Sequence, residues 1–341
     1  MGLTYAKSGV DIDEKSAAIA ALVKELRFAR RGFGAPVDIG GHFSGLLDFG
    51  RHYLSLCTDG VGTKLLVAEA LDRWDTVGID CVAMNSNDMI CVGAEPLAFV
   101  DYIAVDRPRP GTVRAVGRGL SRGAQLANLS IIGGETAVLP EMVRGLDLSG
   151  TCLGFVRKGD QVTGSAVRPG DVVIGIESSG IHSNGLTLAR RVFKDAQISL
   201  LDNLPGFDRS VGEELLSPTI IYVRPVMELL RKVRLHGLAN ITGGGLRNLL
   251  RLRIGVQVRI EEPLTPQPIF AAMQKLGRIS DREMHQTFNM GMGFALVAPK
   301  ASAGPAIDIL ARRGLRAQLV GRIAKGSGVV HAPKKLAYTR Y

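Results

Sequence analysis

The chain has no Gly-Lys dipeptide anywhere, which excludes the P-loop, and no G-x-G-x-x-G opens a helix after a strand. It also lacks H-E-x-x-H, the mark of a zinc protease helix. The four cysteines, Cys57, Cys81, Cys91 and Cys152, contain no Cys-x-x-Cys pair and lie in or beside apolar runs. They read as buried, reduced thiols rather than a disulfide framework. Aromatics are only 5%, and no five or six like charges are consecutive. A net charge of +10 therefore comes without the basic arm or stacking platforms of a nucleic-acid binder. No uncharged apolar run approaches the roughly 18 residues of a membrane span, and the N-terminal MGLTYAKSGVDIDE has no signal-peptide core. The expectation is a soluble cytoplasmic protein with no nucleic-acid or membrane partner.

What is present is a long, apolar chain of 341 residues, 46% hydrophobic, which is more than one typical compact domain. Apolar, β-rich runs alternate with helical patterns, the signature of an α/β or interleaved α+β architecture. Strands are expected at Tyr53 to Cys57, Ala98 to Val105, Leu129 to Gly133 and Leu148 to Val156, with helices at Val61 to Leu71, Thr76 to Val92 and Gly111 to Ala127. The polar, turn-rich KGDQVTGSAVRPGD separates them from a second half, so domains are expected at 1–168 and 169–341. In that half, strand-like Val172 to Ser178 precedes helices near Ser183 to Phe193 and Pro218 to Val233, and a further helix runs from the glycines at 243–245 to about Leu252.

Thr58 to Lys64, TDGVGTK, places a carboxylate, two glycines, two hydroxyls and an ammonium just after a strand. Glycine lets backbone N–H groups approach phosphate oxygens, Asp59 can hold Mg²⁺, and Lys64 can neutralise phosphoryl charge; the competing reading is an ordinary strand-to-helix turn. Other carboxylates stand beside Gly, Asn or Thr: Asp80 and Asp88 in GIDCVAMNSNDM, Asp101 in FVDY and Glu135 in GGET. Asp80 and Asp88 are eight residues apart, about 80° around and roughly 12 Å along a helix, so one ion cannot take both unless the helix breaks. Asp88 with Asn87 is the better ligand candidate, and Asp80 suits a helix end. SSGIHSNG, Ser178 to Gly185, follows a strand and enters a helix, a setting for an anion site with His182 available for proton transfer. TGGG, Thr242 to Gly245, repeats that logic more weakly. The remaining histidines, His42, His52, His236, His285 and His331, have no metal-ligand spacing.

In order, TYAKSGVDID, TDGVGTK, GIDCVAMNSNDMICVGAEPLAFVDY, GGETA, SSGIHSNG, LLSPTIIYV, ITGGG and TFNMGMG resemble the phosphoribosylformylglycinamidine cyclo-ligase (aminoimidazole ribonucleotide synthetase) family through nearly the whole chain. The resemblance implies an ATP-using two-domain purine-synthetase fold: strands of two N-terminal domains form a barrel across a homodimer, and the C-terminal domain is an α/β sandwich. It implies an enzyme that uses ATP and Mg²⁺ to close formylglycinamidine ribonucleotide into 5-aminoimidazole ribonucleotide through a phosphorylated formyl oxygen. By the same resemblance, Asp59, Lys64 and His182 are expected to be catalytic. Thr58, Asp59, Gly60, Gly62, Thr63, Lys64, Asn87, Asp88, Gly133, Gly134, Glu135 and Thr136 are expected at Mg-ATP, with Asp59, Asp88 and Glu135 on the metal. Ser179, Gly180, His182, Ser183, Asn184 and Thr242 to Gly245 are expected at the substrate.

Three departures stand out. The family's GGFG is here GGHFSG at Gly40 to Gly45, GGETAEMPGMY is GGETAVLPEMV, and the usual histidine two residues before TGGG is Asn240. Sister enzymes of the same scaffold, thiamine-monophosphate kinase and selenophosphate synthetase among them, are the rival reading. SSGIHSNG and TFNMGMG fit the cyclo-ligases better, and a reactive N-terminal cysteine is lacking, since the first cysteine is Cys57.

Overall fold

A computed structural model describes residues 2–341. Its first half is a six-stranded sheet made of β1 (Pro36–Val37), β2 (Gly45–Phe49), β3 (His52–Gly60), β4 (Glu95–Val105), β5 (Ser130–Val138) and β6 (Leu146–Arg157), ordered β1-β2-β3-β6-β4-β5. Its helices are α1 (Ile12–Glu25), α2 (Leu65–Leu71), α3 (Val77–Ile90) and α4 (Pro110–Ala127). The second half has seven strands, β7 (Val172–Glu177), β8 (Gly237–Asn240), β9 (Val256–Ile260), β10 (Met292–Ala298), β11 (Ala317–Lys325), β12 (Gly328–His331) and β13 (Leu336–Tyr338), ordered β13-β12-β9-β11-β7-β10-β8. Around it lie α5 (Leu186–Asp195), α6 (Val211–Leu215), α7 (Val223–Lys232), α8 (Pro268–Gly277), α9 (Asp281–Thr287) and α10 (Ala303–Arg312).

Side-chain periodicity explains how the layers stack. Along β6, buried residues alternate with more accessible ones, as expected of a strand with one face on the core. Every residue of β10 and nearly all of β7 are buried, because these central strands are covered on both sides. Helix α3 is buried almost all round and packs on β3, β6, α4, α7 and β8, so it bridges the two halves. Its close crossing with α4 depends on glycine: a Cβ on Gly78 would lie 2.2 Å from the Leu120 nitrogen. One continuous apolar cluster contains buried side chains from both sheets.

The outer face of the first sheet is uncovered. Strand registry aligns Leu56 with Leu153 and Ala98, Thr58 with Thr151, Val100 and Gly133, and Gly60 with Ser149, Tyr102 and Glu135. Leu56, Val100 and Tyr102 are each about two-fifths exposed there, and Ile132 on edge strand β5 is 68% exposed.

Several local expectations are revised. The strand expected to end at Gly133 runs further: β5 continues through Gly134, Glu135 and Thr136 to Val138. The helix expected from Pro218 starts at Val223, because α3 straps the preceding residues into an irregular segment: the Thr219 and Tyr222 N–H groups donate to the Asp80 and Asn87 side chains. The helix expected from Ser183 starts at Leu186, and the stretch after the TGGG glycines is 3-10 rather than α. Among the described residues, no helix is long and apolar enough to cross a membrane.

Candidate active site at the junction of the two halves

Helix α3 presents three polar positions toward the second half, and each does a different job. Asp80, in its first turn, meets Lys64: the Lys64 Nζ donates 2.9 Å to Asp80 Oδ1, lies 2.8 Å from Oδ2, and donates 2.7 Å to the Ser217 carbonyl. Asp80 Oδ1 also accepts from the N–H and Oγ1 of Thr219, at 2.7 and 2.6 Å. Both members of the ion pair are fully inaccessible, and burial lowers the Lys64 pKa although Asp80 opposes it. Lys64, expected at the phosphates, is therefore committed to fastening the 217–219 loop. Asn87, expected beside the metal, is likewise occupied: it donates 2.8 Å to the Ile220 carbonyl and accepts 2.9 Å from the Tyr222 N–H.

Asp88 is the position left for chemistry. It is half-buried, and its Oδ1 accepts 2.8 Å from the side-chain amide of Asn240 at the end of β8. Burial pushes its carboxyl up to about 7; Asn240 opposes this, nearby Asp59 adds to it, and Arg251 opposes again. Asp59 sits at the end of β3, where burial also raises its pKa against the 2.8 Å bond from the Gly60 N–H. Burial raises both carboxylates and the charges of Lys15 and Arg251 only partly oppose it, a condition a hard divalent cation relieves. Asp59 and Asp88 are the two oxygen donors here that would hold Mg²⁺. Glu135 does not join them. Asp59 shares a face with Cys57, whose thiol donates to the Asn85 carbonyl of α3, whereas Glu135 is in register with Tyr102 on the outer face. Among the described residues, no three His, Cys, Asp or Glu side chains are grouped to hold a metal ion.

The SSGIHSNG loop closes over this junction. His182 is buried with a positive φ of 60°, and its Nε2 accepts 3.2 Å from the Ser179 N–H. That bond fixes the neutral tautomer with the proton on Nδ1. Burial, with Lys64 second, lowers its pKa to about 3, so near neutral pH His182 is an uncharged donor. Ser179 Oγ donates to the Pro218 carbonyl, while Gly180, with φ 134°, makes the turn. Ser183 Oγ lies 3.2 Å from Thr219 Oγ1, and Thr63 Oγ1 lies 2.9 Å from Thr187 Oγ1. TDGVGTK is thereby tied to α5, with Gly62 supplying a positive φ of 66°. The TGGG turn stands against the same loop: a Cβ on Gly243 would meet Asn184 Oδ1 at 3.0 Å, and Thr242 Oγ1 is 3.5 Å from Asn248 Oδ1. Gly244 faces the Tyr341 ring, and Gly245 has φ 51°. Thr58 points to the outer face of the sheet, donating 2.8 Å to the Gly150 carbonyl, and Gly133, Gly134 and Thr136 lie along β5.

Comparison with known proteins bears on this arrangement. Residues 41–156 match the family described as AIR synthase related protein, N-terminal domain, and residues 168–332 match its C-terminal domain. The phosphoribosylformylglycinamidine cyclo-ligase of Methanosarcina barkeri is 47% identical over 96% of both chains. That of Methanocaldococcus jannaschii is 47% identical over 94% of this chain and 92% of its own. The chain belongs to the phosphoribosylformylglycinamidine cyclo-ligase family. The family fold is also seen in more distant solved structures. AaThiL complexed with AMPPCP and TMP aligns with a TM-score of 0.67 at 17% identity over 97% of each chain. HypE of E. coli, a hydrogenase maturation protein, aligns with a TM-score of 0.62 at 18% identity over 84% and 85%.

For a cyclo-ligase family member, the residues missed by sequence reasoning are as informative as those found. Ser217 and Thr219 in LLSPT, Tyr222 and Asn240 all shape the site. LLSPTIIYV stood among the resembling segments, so its signal was present without a role. Asn240 carried the departure from the family's histidine, and its partner, 152 residues away in sequence, emerges only in three dimensions.

Proposed function

We propose that the protein catalyses the ATP-dependent ring closure of formylglycinamidine ribonucleotide to 5-aminoimidazole ribonucleotide, ADP and phosphate, in de novo purine (IMP) biosynthesis. The observation that carries this reading is near-full-length identity of 47% to a cyclo-ligase. Convergence of Asp59, Asp88, His182 and the two glycine-rich turns at one junction supports it.

An amide oxygen is a poor leaving group. Transfer of the γ-phosphoryl of ATP to the formyl oxygen breaks the β,γ-bridging P–O bond and converts that oxygen into phosphate. The ribosyl-bearing nitrogen then attacks the formyl carbon, its proton is lost, and the C–O bond breaks with phosphate leaving. Asp59 and Asp88 would hold Mg²⁺, which would supply neutralisation of phosphate charge. His182 is assigned as a neutral Nδ1–H donor to developing oxygen charge, not as the base, because its Nε2 lone pair is already engaged. Ser179, Gly180, Ser183, Asn184 and the turn at Thr242 to Gly245 are assigned to the substrate, through hydroxyl, amide and backbone N–H donors. Gly60, Gly62 and Thr63 line the nucleotide side, and Lys64 positions the wall behind it.

The same reading includes two domains, 1–168 and 169–341, a cytoplasmic location and a homodimer. The uncovered apolar sheet face at Leu56, Val100 and Tyr102 supports pairing with a second copy. Such pairing covers Thr58, Gly133 and Glu135 on the outer face, with Gly134 and Thr136 alternating between them on edge strand β5, and makes this segment a contributor to a shared nucleotide groove. The test is an assay with Mg-ATP and formylglycinamidine ribonucleotide, following ADP and the aminoimidazole. Stoichiometric formation of both is expected. A folded dimer that forms neither, or that turns over ATP only with thiamine phosphate, would overturn it.

A further inference from the structure

A cavity of about 340 Å³ lies in the second half between α8, α9 and the ends of β9 and β12. Its lining contains none of Asp59, Asp88, His182 or Asn240. Apolar walls come from Leu264, Phe270 and Met292 together with several prolines, and two histidines, His285 and His331, face each other with ring centroids 4.6 Å apart.

Their tautomers can be derived from their partners. His285 Nδ1 lies 2.8 Å from the Asp281 carbonyl oxygen, which only accepts, so Nδ1 carries the proton and Nε2 keeps a lone pair. His331 Nδ1 lies 3.2 Å from the Lys334 backbone nitrogen, which only donates, so the proton of His331 is on Nε2. Both rings are more than nine-tenths buried, and neither Nε2 has a hydrogen-bond partner among the described residues. Burial lowers both pKa values, that of His331 to about 4, which keeps the rings neutral and the two tautomers distinct. An acceptor and a donor therefore stand in one largely apolar cavity, both free to meet a ligand that enters it.

We propose that this cavity is a second ligand site, separate from the junction, for a neutral planar heterocycle that carries a donor beside an acceptor, of the nucleobase type. His331 Nε2–H donates to the ring nitrogen of the ligand, and His285 Nε2 accepts from its exocyclic N–H. The apolar walls cover the ring faces, and the volume lies within the usual range of small-molecule sites. Two further lining residues connect the site to the catalytic loop. Gln267 donates to the Ser178 carbonyl, and Asn289 donates 2.8 Å to the Gly180 carbonyl while accepting 3.0 Å from Ser178 Oγ.

The probe is adenosine, whose N1 accepts and N6 donates, titrated calorimetrically into the full chain in the presence of saturating Mg-AMPPNP. Binding is expected to persist beside the nucleotide analogue. His331→Phe and His285→Phe should each weaken it roughly five- to tenfold, the worth of one neutral hydrogen bond, while leaving turnover without adenosine intact. N6,N6-dimethyladenosine, which lacks the donor, should bind the unmodified protein more weakly by a similar factor. The proposal is overturned if adenosine does not bind, if Mg-AMPPNP displaces it, or if both folded variants bind it as tightly as the parent. Should either variant misfold, equal affinity for adenosine and its dimethyl analogue overturns it instead. These outcomes do not depend on whether ring closure is the reaction.

Discussion

Lys64→Met tests whether the lysine of TDGVGTK is a fastener or a phosphate ligand. Methionine keeps most of the stem and removes the ammonium, leaving Asp80 charged at a site with no solvent access and the Ser217 carbonyl without its donor. Breaking a buried pair in this way costs about 3–5 kcal/mol, and the two surviving bonds from Thr219 to Asp80 place the loss near the lower end. Asp80→Asn leaves the opposite charge uncompensated and should cost about as much. In the double variant no charge remains, while the amide oxygen introduced at position 80 still accepts from Thr219. Its stability should match or exceed that of the weaker single variant, a coupling of at least about 3 kcal/mol. Urea unfolding of the four proteins gives the cycle, and steady-state kinetics of the double variant gives the second readout. Loss of a charge-assisted phosphate contact, worth about 1.5–3 kcal/mol, would raise the KM for ATP about ten- to a hundredfold. The structure predicts little change in that KM once the fold is restored. An additive cycle, or a KM increase of that size in the stable double variant, would refute the reasoning.

Asp88→Asn keeps the acceptor for Asn240 but removes a carboxylate whose folded pKa, about 7, is above its ordinary value of 3.8. Folding favours the neutral acid, so stability falls as pH rises from about 4 through 7; the variant should be more stable than the parent in metal-free urea melts at pH 8, yet lose Mg²⁺-dependent turnover. His182 titrates in the opposite sense: with a folded pKa near 3 against an ordinary 6.5, its contribution is complete above about 6.5 and is lost at up to about 1.4 kcal/mol per pH unit on acidification toward 3. His182→Asn, which tolerates the positive φ, should flatten the acid limb of a stability–pH curve measured by thermal melting. Gly293→Ala would put a Cβ 2.0 Å from Tyr222 Oη and 2.6 Å from His182 Cε1. It should cost about 1–3 kcal/mol in urea unfolding and reduce turnover by displacing His182.

Much of the scaffold was legible because its signals are local. The apolar run at Val172 to Glu177, the helical period over Val77 to Ile90 and the glycine-marked turns each announce themselves within about a dozen residues. The junction of TDGVGTK, Asp88 and SSGIHSNG was legible for the same reason, as short polar motifs at strand and helix ends. What local pattern could not supply was partnership. Lys64 reads as a phosphate ligand until Asp80 and Ser217 are seen to enclose it. Asn87 and Asp88 are neighbours in sequence but point to different tasks, because successive helical residues face about 100° apart. Glu135 shares a glycine-rich motif with nucleotide sites, yet strand alternation turns it to the outer face. The strands β1, β2, β8 and β13 and helices α1, α6, α8 and α9 went unanticipated. For α8 and α9, short length and mixed polarity mean that packing, more than periodicity, stabilises them.

The most direct test of ring closure through a phosphorylated formyl oxygen uses formylglycinamidine ribonucleotide labelled with ¹⁸O in the formyl group, incubated with the protein and Mg-ATP. Mass analysis of the released phosphate is predicted to find one ¹⁸O per aminoimidazole ribonucleotide formed, with ADP in equal amount. Aminoimidazole formation accompanied by unlabelled phosphate, or ADP released without the ring, would contradict the account.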